Sequence, residues 1–160
     1  MAKMDVRKRV EVLIDVPRFG FVKHDDRGAV DCVSLLPCPF NYGSIPGTCS
    51  QEGDRFDAIV LGPRLARGTR VELPVIAVAR FTDAGKEDPK WICGENAMTA
   101  FQRLTIVGFF MIYARIKAFM NAIKRRSGAT RFDGVRASVA DLDRLWNRDS
   151  AQDDDATGDT

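Results

Sequence analysis

From Val10 to Trp91 the apolar residues come in short runs: "VEVLIDVP" (10–17), "AVDCVSLL" (29–36), "FDAIVLG" (56–62), "TRVELPVIAVARF" (69–81) and "KWIC" (90–93). Turn residues separate them, among them Gly28, Gly43, Gly47, Gly62-Pro63 and Gly68. Runs of this length with this punctuation predict β-strands, and strands so short and numerous must remove their edges, which points to a closed or nearly closed β-barrel. After Asn96 the period changes. Apolar residues at 101, 104, 107, 111, 112, 116, 119, 120 and 123 recur at helical spacing, so one long amphipathic helix over about 99–126 is expected to cover the barrel with that face. A break at "SGATRFDG" (127–134) precedes "SVADLDRLW" (138–146), whose Ser138 cap and apolar Val139, Leu142 and Leu145 predict a short second helix.

The predicted architecture is therefore mainly β with α, a single domain over residues 1–148, followed by an acidic tail over 149–160 that is too poor in apolar residues to fold. A chain of 160 residues, 45% apolar, suits one domain with a sizeable core. Charge changes the picture only when the tail is set aside. The last twelve residues hold five acids and no base, so the body has 24 basic against 17 acidic side chains, about +7. That balance suits an anionic partner. The basic stretch "AIKRRSGATR" (122–131) lacks the interleaved aromatics on which nucleic-acid bases stack, so nucleic acid is not the expected partner. Four cysteines without a C-x-x-C pair, and one histidine, exclude a zinc ribbon and a thioredoxin-type motif, and read as reduced thiols in the cytoplasm. The most apolar run, "LTIVGFFMIYA" (104–114), is too short to span a bilayer, and no signal peptide is expected.

The chemistry gathers in two acidic segments. "QEGDRFD" (51–57) places Glu52, Asp54 and Asp57 at the mouth of an apolar strand, where they would repel one another without a cation between them. Glu52 and Asp54 share a strand face, and Asp57 joins them only through a turn or bulge, which Gly53 permits. "RFTDAGKEDPKW" (80–91) holds Asp83, Glu87 and Asp88 on a predicted loop between strands. If the two segments meet, the oxygen-rich volume suits magnesium, with a phosphate completing its ligands; solvated loop acids are the other reading.

The order "IDVP" (14–17), "FNYGSIPGT" (40–48), "EGDRFDAIVLGP" (52–63), "VIAVARFTDAGKEDPKWI" (75–92) and a following helix with a tyrosine resembles the family I, soluble, magnesium-dependent inorganic pyrophosphatases over roughly residues 10–115. The resemblance implies an OB-like barrel flanked by helices and magnesium-dependent hydrolysis of pyrophosphate. It implies metal-ligand roles for Glu52, Asp57, Asp83 and Asp88, with Asp15 at the edge of the site. Asp54 matches the carboxylate that takes the proton from a metal-bridging water, and Tyr42, Lys90 and Tyr113 match substrate-binding positions. Members of the family commonly assemble, so a homo-oligomer is compatible with it.

This chain departs from the pattern at several positions. Glu52 stands for Asp and Arg55 for Pro, and Ala114 follows Tyr113 where the family has lysine. The segment matching the family's strand arginine, "VDCVSLL" (30–36), has no basic residue; Arg18, Lys23, Arg55 and Arg115 are the candidate replacements. These losses favour, as the alternative, a divergent or non-catalytic protein that acts on or binds another diphosphate or phosphate ligand.

Overall fold

The computed structural model describes residues 7–24, 30–33, 36–50 and 53–151. Glu52 and the acidic tail beyond 151 lie outside the described residues. Among the described residues, nine strands and two helices follow in the order β1 (Arg9–Val16), β2 (Val22–His24), β3 (Val30–Val33), β4 (Asn41–Ile45), β5 (Phe56–Val60), β6 (Arg70–Asp83), β7 (Lys86–Glu87), β8 (Lys90–Cys93), α1 (Ala100–Ile123), β9 (Arg131–Arg136) and α2 (Val139–Ala151).

Five strands close the main sheet on itself as a ring. β1 pairs with β4, β4 with β5, β5 with β8, β8 with β6, and β6 returns to β1. The β5–β8 pair is parallel and the other four are antiparallel, so the expected edge removal is achieved by closure. β6 is the spine: at 14 residues it also carries β7 and β9 on its distal half. β2 and β3 form a separate hairpin sheet.

Strand alternation sorts the core into two clusters. Val10, Val12, Ile14, Phe56, Ala58, Trp91 and Cys93 pack with Leu142, Leu145 and Trp146 of α2. The Trp91 and Trp146 rings meet at 4.9 Å between centroids, and Phe56 touches both. Residues of opposite parity, Ile59, Ile76, Ala79, Phe81 and Ile92, pack beneath Ile106, Phe110 and Ala114 of α1. Asp57 and Lys90 share the parity of Ile59 and Ile92, so they point to the α1 side.

Helix α1 starts on a capping box, with the Thr99 hydroxyl accepting from Gln102 N at 3.1 Å and the Gln102 side chain accepting from Thr99 N at 2.9 Å. Its position agrees with the periodicity, but its buried face does not. Phe101, Leu104, Met111, Ile112, Phe119 and Ile123, all assigned to the covering face from sequence, are exposed, whereas Ile106, Phe110, Ala114 and Asn121 are buried. The helix is apolar on both sides, so two stripes competed for one assignment. The winning stripe contains Phe110, which meets Phe40, Phe81, Phe109, Tyr113 and Phe132. At 24 residues α1 is also long and apolar enough, by length and composition, to cross a bilayer, which the eleven-residue run did not indicate.

Gly43 shows why the "NYG" triplet needs its glycine. A Cβ there would lie 2.1 Å from the Leu13 carbonyl oxygen, because β4 crosses β1 at close range beside a register shift between Ile14 and Val16. That contact is backbone and cannot rotate away. Gly43→Ala is therefore expected to lower unfolding free energy by about 2–3 kcal/mol, the range for a steric clash in a packed core. Urea unfolding checks this, and an unchanged midpoint would show that β1 and β4 can separate at this point.

Candidate functional site

Two strands and one turn bring the site together. The parallel register sets Asp57 of β5 directly beside Lys90 of β8. Asp88 sits two residues before Lys90, its backbone N–H donating to Phe81 O at 2.8 Å, which folds the β7–β8 connection back on β6. Lys90 Nζ donates to Asp57 Oδ2 at 2.5 Å and to Asp88 Oδ2 at 2.6 Å. The lysine side chain is 6% exposed, against 18% for Asp57 and 38% for Asp88. Burial alone would lower the ammonium's pKa, but Asp57 and then Asp88 outweigh it and hold it well above the ordinary lysine value.

Two phenols border this bridge. Tyr42 lies with its ring 5.9 Å from Lys90 Nζ, and burial, followed by the negative charge of Asp57, pushes its pKa well above the ordinary tyrosine value. It is therefore a proton-bearing donor at neutral pH. Tyr113 reaches in from α1, packed against Phe81 and Phe109, and interacts electrostatically with both Tyr42 and Lys90. The structure thus gathers Tyr42, Asp57, Asp88, Lys90 and Tyr113 on the α1 side of the sheet.

Asp83 is held separately, at the end of β6. Its Oδ1 accepts from Asn121 Nδ2 at 2.7 Å, and its Oδ2 is 3.6 Å from Lys117 Nζ and 3.8 Å from Arg126 Nη1. Asn121 also donates to Thr130 Oγ1 at 2.9 Å, which accepts from Ala84 N at 3.0 Å. Sequence reading passed over Lys117, Asn121, Arg126 and Thr130. A signal was present for one of them, since Lys117 follows Tyr113 by four residues and so shares its helix face.

Asp54 lies exposed in the turn that Gly53 makes possible, with Gly53 at φ 85°, Gly53 N donating to Ser50 O at 2.9 Å, and Ser50 N donating to Asp54 O at 2.6 Å. Among the described residues no hydrogen bond or ion pair joins the Asp54 carboxylate to Lys90. Asp15 is half-buried at the β1 register shift opposite Tyr42 and Gly43. Of the proposed replacement cations, Arg18 donates to Gly62 O at 3.3 Å and lies 4.8 Å from the Phe19 ring centre. Arg55 and Arg115 are exposed, and the side chain of Lys23 lies outside the described residues.

Among the described residues no three acidic, His or Cys side chains converge closely enough to hold a metal by themselves. The donor set nevertheless fits magnesium, which is commonly held by one or two carboxylates with water and substrate phosphate supplying the rest. Asp57 and Asp88 already share one cation, the Lys90 ammonium, within hydrogen-bond distance of both.

The fold is a ring-closed sheet with a carboxylate–lysine–tyrosine cluster under its long helix. The family description "Inorganic pyrophosphatase" matches residues 2–138, and the chain belongs to the inorganic pyrophosphatase family. It is 33% identical over 89 residues to an inorganic pyrophosphatase of Sulfolobus acidocaldarius, covering 51% of each chain. To an inorganic pyrophosphatase of Gluconobacter oxydans it is 34% identical over 97 residues, covering 56% of each. The chain spans about half the length of these relatives. The fold is similar to a solved inorganic pyrophosphatase of Coxiella burnetii, with a TM-score of 0.71 at 20% identity over 91% of this chain and 95% of that one.

Lys90 and Tyr42 both have raised pKa values, so the folded state holds their protons more tightly than the unfolded chain. Their contribution to stability is full below about pH 10, the unfolded range of both groups, and is lost as pH rises through the folded values. Urea unfolding between pH 9 and 11.5 is expected to show this alkaline decline, and Tyr42→Phe to reduce it. At pH 7, Lys90→Met is expected to cost about 3 kcal/mol, the low end for breaking a buried pair because Asp88 retains solvent. Wild-type stability in that variant would mean that the bridge does not form.

Proposed function

We propose that this protein hydrolyses inorganic pyrophosphate to two phosphates with magnesium. The observation that carries the reading is the buried Lys90 shared by Asp57 and Asp88 beneath Tyr42 and Tyr113, on a chain that belongs to the inorganic pyrophosphatase family. Magnesium, when bound, supplies charge neutralisation for the phosphates and acidifies a coordinated water. Asp57 and Asp88, which converge on one cation, would hold it, and the family resemblance assigns further metal-ligand roles to Asp83, Asp15 and Glu52. Asp54, exposed at its turn, accepts the proton of the attacking water. Lys90 supplies a fixed positive charge, and the Tyr42 and Tyr113 hydroxyls donate to phosphate oxygens. Such positioning and charge stabilisation are most of what phosphoryl transfer requires.

Burial pushes the thiols of Cys38 and Cys93 up to about 12, so these two are inert apolar fillers.

Phosphate release from pyrophosphate, measured against magnesium concentration, tests the proposal. Asp54→Asn is expected to lower turnover about 100- to 1000-fold, as for loss of a general base, and chelation of the metal to abolish it. Wild-type release no greater than that of Asp54→Asn would reject hydrolysis of this substrate. Saturable magnesium and phosphate binding by calorimetry would then identify a non-catalytic binding protein, and release from tripolyphosphate or nucleoside diphosphates a divergent hydrolase.

A further inference from the structure

Helix α1 is apolar on two opposite faces, one packed and one exposed. Its inner stripe, Ile106, Phe110 and Ala114, is seated on the sheet, with Phe110 against Phe40, Phe81 and Phe132. On the outer side Phe101, Leu104, Phe119 and Ile123 are each between 66% and 75% exposed, and Met111 and Ile112 are exposed among them. With 3.6 residues per turn, Phe101, Ile112, Phe119 and Ile123 lie within about 40° of one another around the axis. They therefore form a continuous stripe along a helix about 36 Å long, unlike the singly scattered apolar residues that any surface tolerates.

Charge narrows what can cover this stripe. Between Glu95 and Asp133 the chain has seven basic residues and no acid. Arg115 is exposed at the edge of the stripe, about 60° around the axis from Ile112, and Lys124, Arg125 and Arg126 are exposed just past the helix end. Among the described residues Arg115, Lys124 and Arg125 form no ion pair, while Arg126 stands 3.8 Å from Asp83. A second copy of the chain laid antiparallel about Ile112 would set the two Arg115 side chains about 9 Å apart along the axis, inside one Debye length, with no helix acid to balance them. An anionic surface meets the same cations with the opposite sign. The helix is long and apolar enough to cross a bilayer, but its inner stripe and the buried Asn121, which donates to Asp83 and Thr130, tie it to the sheet. A helix fixed in this way can meet a bilayer only lying flat, with apolar side chains in the acyl boundary and long cationic ones reaching back to headgroup phosphates.

We propose that the exposed stripe of α1 docks the protein on an anionic lipid surface, with Phe101, Ile112, Phe119 and Ile123 entering the acyl boundary and Arg115, Lys124 and Arg125 meeting lipid phosphates. The Lys90 cluster lies on the sheet side of the helix, so lipid docking is independent of the proposed hydrolysis.

Co-sedimentation of the full chain with vesicles tests this. Binding is expected to vesicles of phosphatidylglycerol mixed with phosphatidylcholine, and is expected to fall about tenfold or more on pure phosphatidylcholine or in about 0.5 M salt. Phe101→Ser and Phe119→Ser are each expected to weaken it about tenfold or more, since a phenyl ring no longer leaves water. In unmutated protein, a photoactivatable label dissolved in the acyl region is expected to mark the α1 peptide, which keeps the test open if a variant fails to fold. No binding of wild-type protein to the anionic vesicles, unchanged binding in both Ser variants, or label confined to other peptides would overturn lipid docking. A dimer in sedimentation velocity that Phe119→Ser dissociates, found in place of vesicle binding, would also overturn it and give the stripe to a second copy.

Discussion

Burying an ammonium group is tolerable only where carboxylates meet it, and the rest of the site follows from how this chain meets Lys90. Desolvation of a lone cation would cost several kcal/mol. The parallel β5–β8 register supplies Asp57 from the neighbouring strand, and the β7–β8 turn supplies Asp88 from two residues away. Asp57 is fixed by the β4–β5 ladder, which pairs it with Ser44, and Asp88 by its backbone bond to Phe81 O. Tyr42, one residue from Gly43 at the tight β1–β4 crossing, is in turn held beside the ammonium.

The long β6 strand links this bridge to the outlying cations. Its distal end carries Asp83, and Asp88 directly follows β7, so the β6–β7 hairpin and the residue after it present one carboxylate to Lys117 and Arg126 and another to Lys90. α1 crosses the same face, giving Tyr113 to the first cluster and Lys117 and Asn121 to the second. A shift of α1 along its axis would disturb both clusters together. The Phe40, Phe81, Phe110 and Phe132 rings packed beneath the helix oppose such a shift.

Much of this was legible in the sequence because local signals agreed with the global fold. Alternation and turn residues located β1, β5, β6 and β8, and the motifs marked Asp57, Asp88 and Lys90 as candidates, while their proximity comes from the parallel β5–β8 register. β4 and β9 were harder to see. β4 is the motif "NYGSI", which carries a glycine, and β9 contains Gly134 at φ 98°, so both look like turns until β1, β5 and β6 supply their ladders. The buried face of α1 was illegible for a different reason. With Phe101, Leu104 and Phe119 on one side and Ile106, Phe110 and Ala114 on the other, periodicity offers two answers, and only the shape of the underlying sheet chooses. The expectation that Asp83 joins the other acids also needed coordinates, since its partners come from Asn121, thirty-eight residues downstream, and from the loop beyond it.

The same packing explains why a cation does not follow Tyr113 directly. Position 114 lies in line with Ile106 and Phe110 on the core stripe, and Ala114 is 7% exposed among them. A lysine there would have to lose its hydration within an aromatic cluster or push α1 away from the sheet. Three residues further on, position 117 keeps the face of Tyr113, retains a path to water, and finds Asp83 within ion-pair distance. The apolar stripe that seats α1 and the placement of Lys117 are therefore two consequences of one packing constraint.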